Sequence, residues 1–132
     1  MIFYFFNIRI ELELLTFHLL RMSIHTFGRD NTFVIQPSGD MSKPSLLELD
    51  ALLQTALEEG MQNIIFDFTD LTYISSDGLR IILDAIKKLP SKDYPVAIVG
   101  MKPAVRSLFE VGGFMELINE FTDIEDAFSS FH

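Results

Sequence analysis

The sequence contains no cysteine, which excludes disulfides, thiolate nucleophiles and the commonest structural zinc sites. Positive charge is also short: 10 Lys and Arg stand against 19 Asp and Glu, a net charge of -9. Such a chain lacks the general attraction that draws proteins to nucleic acid or anionic lipid, so neither is expected as a direct partner. His18, His25 and His132 are scattered, with no spacing that turns two of them from one helical face toward a metal, so neither a metal nor any other cofactor is expected. Gly28, Gly39, Gly60, Gly78 and Gly100 are isolated and Gly112-Gly113 follows a helical stretch, so no phosphate-cradling loop opens a helix. Ser75-Ser76-Asp77-Gly78 does not match the strained serine elbow of hydrolases. Pairs such as Glu58-Glu59 and Asp123 with Asp126 read as solvated helix ends, and no enzymatic activity is expected.

No apolar run reaches the ~20 residues a membrane-spanning helix needs. The nearest approach is the first 21 residues, where Ile2–Phe6 and Leu12–Leu20 are interrupted by Arg9, Glu11, Glu13 and His18. No basic region precedes this stretch and no small-residue cleavage site follows it, so it fits a signal peptide poorly. The pattern turns regular at Met22, which favours an extension ahead of a start at that residue; a membrane or targeting role and an extra element docked on the domain are the other readings. Two Arg and two Glu leave the stretch neutral, so residues 22–132 carry the whole charge of -9.

What remains is ample for one domain, at 132 residues and 48% apolar composition. Ile24–Phe27 and Thr32–Gln36 flank the polar turn Gly28-Arg29-Asp30-Asn31 and predict a β-hairpin. A first helix starts near Pro44, carries Leu46, Leu49, Leu53, Ala56 and Leu57 on one stripe, and ends at Gly60. Ile64–Phe68 reads as a strand covered on both faces. Leu79–Leu89 gives a second helix, supported by Arg80 with Asp84 and Asp84 with Lys88 at i,i+4. Val96–Val99 is another buried strand, and Pro103 opens a third helix through Val105, Leu108 and Phe109. Leu117–Phe121 closes the strands, and a capping box of Thr122 and Glu125 starts a last helix. The order β-β-α-β-α-β-α-β-α predicts one α/β domain, a mostly parallel mixed β-sheet with helices packed against it.

One segment stands out, Asp67-Phe68-Thr69-Asp70-Leu71-Thr72-Tyr73-Ile74-Ser75-Ser76-Asp77-Gly78-Leu79-Arg80. A buried strand runs into a turn, and Ser-Ser-Asp-Gly then opens an amphipathic helix with a solvent-facing tip. Serine and aspartate there cap unpaired N–H groups at the positive end of the helix dipole, a sufficient structural reason for their presence. The same end of a helix accommodates an anion, so a phosphoryl group would be tolerated by the fold while changing the charge of an exposed surface.

At this segment the chain resembles the STAS domain of anti-sigma factor antagonists, whose signature is Asp-Ser-Ser/Thr-Gly-Leu opening a helix. The resemblance extends from Met22 to the end. Gly39-Asp40-Met41 looks like the family's Gly-Glu-Leu segment, Ile64–Asp67 like its central strand, and Val96–Gly100 like its next strand. Val105-Arg106-Ser107-Leu108-Phe109 with Val111 and Gly112 looks like its third helix, and Phe121–Phe128 like its closing strand and helix.

The resemblance implies partner switching in the cytosol. An antagonist of this family binds an anti-sigma factor, often a serine kinase, and releases a sigma factor. The kinase phosphorylates the residue before the glycine, and a PPM-type phosphatase reverses it. Here that position is Asp77. The family's earlier aspartate is Ser75, the middle serine is Ser76, and Ser42 stands where an acidic residue is frequent, so control by phosphate is in doubt while Ser75 and Ser76 remain possible acceptors. The partner surface it implies comprises Gly39, Asp40, Met41 and Ser42 with Ser75, Ser76, Asp77, Gly78, Leu79 and Arg80. Two other readings are a STAS subunit or accessory domain of a membrane transporter, which would meet the membrane only indirectly, and a small enzyme with carboxylates at Asp67, Asp70 and Asp77.

Overall fold

A computed structural model describes residues 24–42, 44–90 and 96–131. The apolar stretch 1–21, Met22, His18 and His132 lie outside the described residues. Strand β1 (Ile24–Arg29) turns back into β2 (Thr32–Pro37) through Asp30 and Asn31 at φ 53° and 62°. Paired left-handed residues give the tight hairpin turn whose twist matches antiparallel strands, and Asp and Asn tolerate that conformation best after glycine. After the short β3 (Gly39–Met41) comes α1 (Pro44–Glu58), then β4 (Asn63–Asp67), β5 (Leu71–Ile74) and α2 (Ser76–Lys88). The chain closes with β6 (Val96–Val99), α3 (Pro103–Val111), a 3-10 turn at Met115–Leu117, β7 (Asn119–Phe121) and α4 (Ile124–Ser129).

Five strands form one mixed sheet in the order β1-β2-β4-β6-β7, with β1 antiparallel to β2 and the rest parallel. Successive side chains of a strand leave on opposite faces, so the apolar runs serve two cores. Phe33, Ile35, Ile64, Phe66, Val96 and Ile98 face the larger one, where Leu49, Leu53, Ile82 and Phe109 from α1, α2 and α3 meet them. Val34, Ile65, Ala97 and Val99 face the other way, against Ala127 and Phe128 of α4. The α/β class and the mostly parallel mixed sheet are as the sequence implies.

The expected element order needs correction. Strands β3 and β5 are two additional elements, and they pair with each other in a separate two-stranded parallel sheet. They are three and four residues long, too short for any period to show. Helix α2 begins three residues before Leu79, because its first turn is made of the polar residues Ser76, Asp77 and Gly78. The last helix is capped by Asp123, whose carboxylate accepts from the N–H groups of Glu125 and Asp126 at 2.7 and 3.3 Å, instead of by Thr122. Residues Met115–Leu117 form the 3-10 turn, so the closing strand starts at Asn119. Arg80 turns to Asp77 at 3.7 Å instead of Asp84.

Candidate functional site

The two segments expected to form one surface lie 33 residues or more apart in the chain, and the small sheet joins them. Gly39, Asp40 and Met41 pair with Leu71, Tyr73 and Ile74 across a parallel ladder interrupted by a bulge at Gly39/Asp40. The N–H of Gly39 donates to the carbonyl of Asp70 at 2.9 Å, and the N–H of Ser75 donates to the carbonyl of Met41 at 3.1 Å. The start of α2 is thereby fixed beside the end of β3.

Each loop is braced from within. Ser45, buried at the start of α1, donates its hydroxyl hydrogen toward the carbonyls of Ser42 and Asp40 at 2.8 and 3.2 Å. Its oxygen accepts from the N–H of Ser42 at 3.1 Å. Ser75 takes the extended conformation of an N-cap, φ -77° and ψ 164°, and its hydroxyl accepts from the N–H of Gly78. Gly78 is required by proximity: a Cβ there would stand 2.8 Å from Ile74 Cγ1 and 3.1 Å from Leu46 Cδ2.

Burial sorts the expected site residues. Asp40, Ser76, Asp77 and Arg80 are exposed, while Gly39, Ser42 and Ser75 are half-buried. Met41, Gly78 and Leu79 are buried, so they shape this end of the molecule from beneath. The Asp77–Arg80 pair has both side chains more than 70% exposed, a setting in which an ion pair contributes little. It leaves both charges available to a partner. Of the two candidate phosphoacceptors, Ser75 has its oxygen engaged as the helix cap, and Ser76 faces solvent.

Tyr73 was missed in the sequence. It is 48% exposed, opposite Asp40 on the small sheet, and an aromatic residue inside an otherwise polar turn was the available signal.

The three carboxylates of the enzyme reading have separate fates. Asp67 accepts from Gln36 Nε2 at 3.0 Å and from the N–H and hydroxyl of Thr69 at 3.1 and 2.6 Å, which occupies it structurally. Asp70 and Asp77 are exposed. Among the described residues no group of three or more His, Cys, Asp or Glu could hold a metal ion, and no helix is long and apolar enough to cross a membrane.

A family model described as the STAS domain matches residues 23–127, which include the whole of this end of the molecule. The chain belongs to the STAS domain family. An anti-sigma-B factor antagonist of Staphylococcus aureus is 25% identical over 108 residues, covering 80% of this chain and 100% of its own. The crystal structure of an anti-sigma factor antagonist from Mycobacterium paratuberculosis has a TM-score of 0.73 at 18% identity, covering 83% of this chain and 92% of its own. The Bacillus cell fate determinant SpoIIAA in its phosphorylated form has a TM-score of 0.66 at 20% identity, covering 84% and 99%. This STAS domain therefore shares its fold with proteins that bear the antagonist name. It carries Asp77 in the first turn of α2.

Proposed function

We propose that this STAS domain is an anti-sigma factor antagonist, which binds an anti-sigma factor of the serine-kinase type in the cytosol and so frees a sigma factor. It works by binding and catalyses no reaction. The observation that carries this reading is the hydrogen bond from the Ser75 N–H to the Met41 carbonyl at 3.1 Å, which unites the two loops into one exposed end. The contact surface is Asp40, Ser42, Tyr73, Ser76, Asp77 and Arg80, held in place by the buried Met41, Gly78 and Leu79. The name of the Staphylococcus aureus relative, which is covered over its full length, supports the anti-sigma partner.

Asp77 makes the switch different. A carboxylate brings one negative charge and two acceptor oxygens, against roughly -1.5 to -2 and three for a phosphoserine. Asp77 is a helix-start residue in a domain whose recognition proceeds without phosphate at that position. A kinase partner then acts in this segment on Ser76 ahead of Ser75, whose oxygen caps the helix, and a PPM-type phosphatase has a substrate here only if it does. Capture from native cells with the full chain, followed by mass spectrometry, tests the reading. An anti-sigma factor is expected among the captured proteins; ABC-transporter components without one would overturn it.

A further inference from the structure

Between α2 and α3 lies an open groove of about 410 Å³, walled by Leu79, Leu83, Leu108, Val111 and Phe114. Ser76 and Arg80, in the first turns of α2, line the same groove, so it runs on from the loop surface described above. Val111 is 90% exposed, the most exposed of the large apolar residues among those described. A valine in that state gains nothing for the isolated fold, because its apolar area stays in water.

The walls specify what fits. Leu79 and Leu83 are four residues apart on one helix, and Leu108 and Val111 are three apart on the other, so each wall presents a ridge with the spacing of one turn. Such a trough accepts the apolar face of a third helix. Charge then narrows the class. On α2, Ser76, Arg80 and Leu83 line the groove, and the exposed Lys87, one turn beyond Leu83, continues the same stripe, so two cations lie on this side of the helix about 10 Å apart. Asp77 and Asp84 lie further round the helix, and Asp77 meets Arg80 at 3.7 Å in an exposed pair that leaves the guanidinium open to the groove. On α3, Arg106 is engaged by Glu110 at 2.8 Å and by Glu120 of β7, on the flank turned toward the sheet edge. The groove wall is thus locally positive in a protein of net charge -9, and at cellular salt a local pair of charges acts only over about 8 Å.

We infer that this groove extends the partner surface and receives an acidic amphipathic helix of the partner, with apolar side chains against Leu83 and Val111 and carboxylates toward Arg80 and Lys87. The inference rests on the partner-binding reading above. A second copy of the chain is the poorer occupant, since among the described residues Leu47 and Val111 are the only exposed large apolar side chains on its α-helices, which leaves no apolar helix face to seat in the groove.

Val111→Asp and Lys87→Glu test the groove without touching the loops, and both positions are exposed, so the fold is expected to survive and is checked by thermal melting. The probe is the set of purified anti-sigma factors of the source organism, titrated calorimetrically against the full chain. Val111→Asp is expected to weaken binding roughly tenfold or more, because it removes an apolar anchor and buries a carboxylate. Lys87→Glu is expected to weaken it several-fold, with the loss shrinking as salt is raised. The control Leu47→Asp, at a position 76% exposed on α1, leaves affinity unchanged. Binding of the wild type that neither groove substitution alters overturns the inference and leaves the reading above intact, whereas no binding by the wild type overturns both. A change confined to self-association in light scattering would assign the groove to a second copy. Tighter binding by a chain starting at Met22, abolished by Val111→Asp, would assign it to the chain's own N-terminal stretch. Either result overturns the inference.

Discussion

The hydroxyl of Ser75 accepts the N–H of Gly78 at 3.1 Å, closing the first turn of the helix that carries the proposed recognition residues. Ser75→Ala leaves that N–H without its partner and is expected to cost about 1 kcal/mol in urea denaturation. Ser75→Asp restores an acceptor at the positive helix end and is expected to recover most of it. Equal stability of Ser75→Ala and wild type would show that the cap is dispensable.

Gly78 sits where a helix ordinarily gains from alanine, by up to about 1 kcal/mol. Here the added Cβ would meet Ile74 Cγ1 at 2.8 Å, close to the backbone of a buried residue that cannot swing away. Gly78→Ala is therefore expected to lose stability, with overpacking at about 1–3 kcal/mol outweighing propensity, and Gly78→Val to lose more. A stabilised Gly78→Ala would contradict this.

Asp77 has no hydroxyl to accept phosphate, so incubation with a cognate kinase and ATP is expected to leave it unmodified in mass spectra. Any phosphate in this segment should fall on Ser76, the exposed hydroxyl, ahead of Ser75, whose oxygen is engaged. Asp77→Ser removes a weakly paired surface charge and is expected to leave partner affinity unchanged or raise it. A large loss of affinity, or reversible Ser76 phosphorylation that abolishes binding, would run against the proposed independence from phosphate.

Arg29 holds Glu125 through two hydrogen bonds, 3.2 and 3.0 Å, and lies 3.6 Å from the centroid of the Phe128 ring. Hydrogen bonding to Arg29 lowers the Glu125 carboxyl below its ordinary value of 4.5. A folded-state value below the unfolded one means the contribution is complete above pH 4.5 and disappears as pH falls through the lower folded value. A double-mutant cycle with Arg29→Met and Glu125→Gln should show favourable coupling at neutral pH and none well below that point. The stacking of Arg29 on Phe128 would persist in acid, and coupling unchanged there would assign the interaction to packing.

Much of the architecture was legible because buried strands and amphipathic helices write long patterns. Ile64–Phe68 and Val96–Val99 read as covered strands, the first of which ends at Asp67, and the polar run Gly28–Asn31 marked a hairpin turn that the structure narrows to Asp30-Asn31. The small sheet left no such trace. Its strands are Gly-Asp-Met and Leu-Thr-Tyr-Ile, where Thr72 and Tyr73 face solvent and only Leu71 and Ile74 are buried in β5. Local chemistry named both loops of the candidate site, yet their union depends on pairing between distant segments, which no local window contains. The groove escaped for a similar reason: Val111 looked like one more apolar helix residue until the placement of α3 left it in water.

Strands β3 and β5 hydrogen-bond to each other and not to the five-stranded sheet, although Met41, Leu71 and Ile74 pack into the same larger core. The two-stranded ladder can fray without breaking a hydrogen bond of the large sheet. Amide exchange at Asp40 and Tyr73 is then expected to outpace exchange at Ile65 and Ile98, and a bound partner should slow the first pair alone. A partner that damps this fraying gives up part of its affinity in doing so, which makes the complex easier to release on demand.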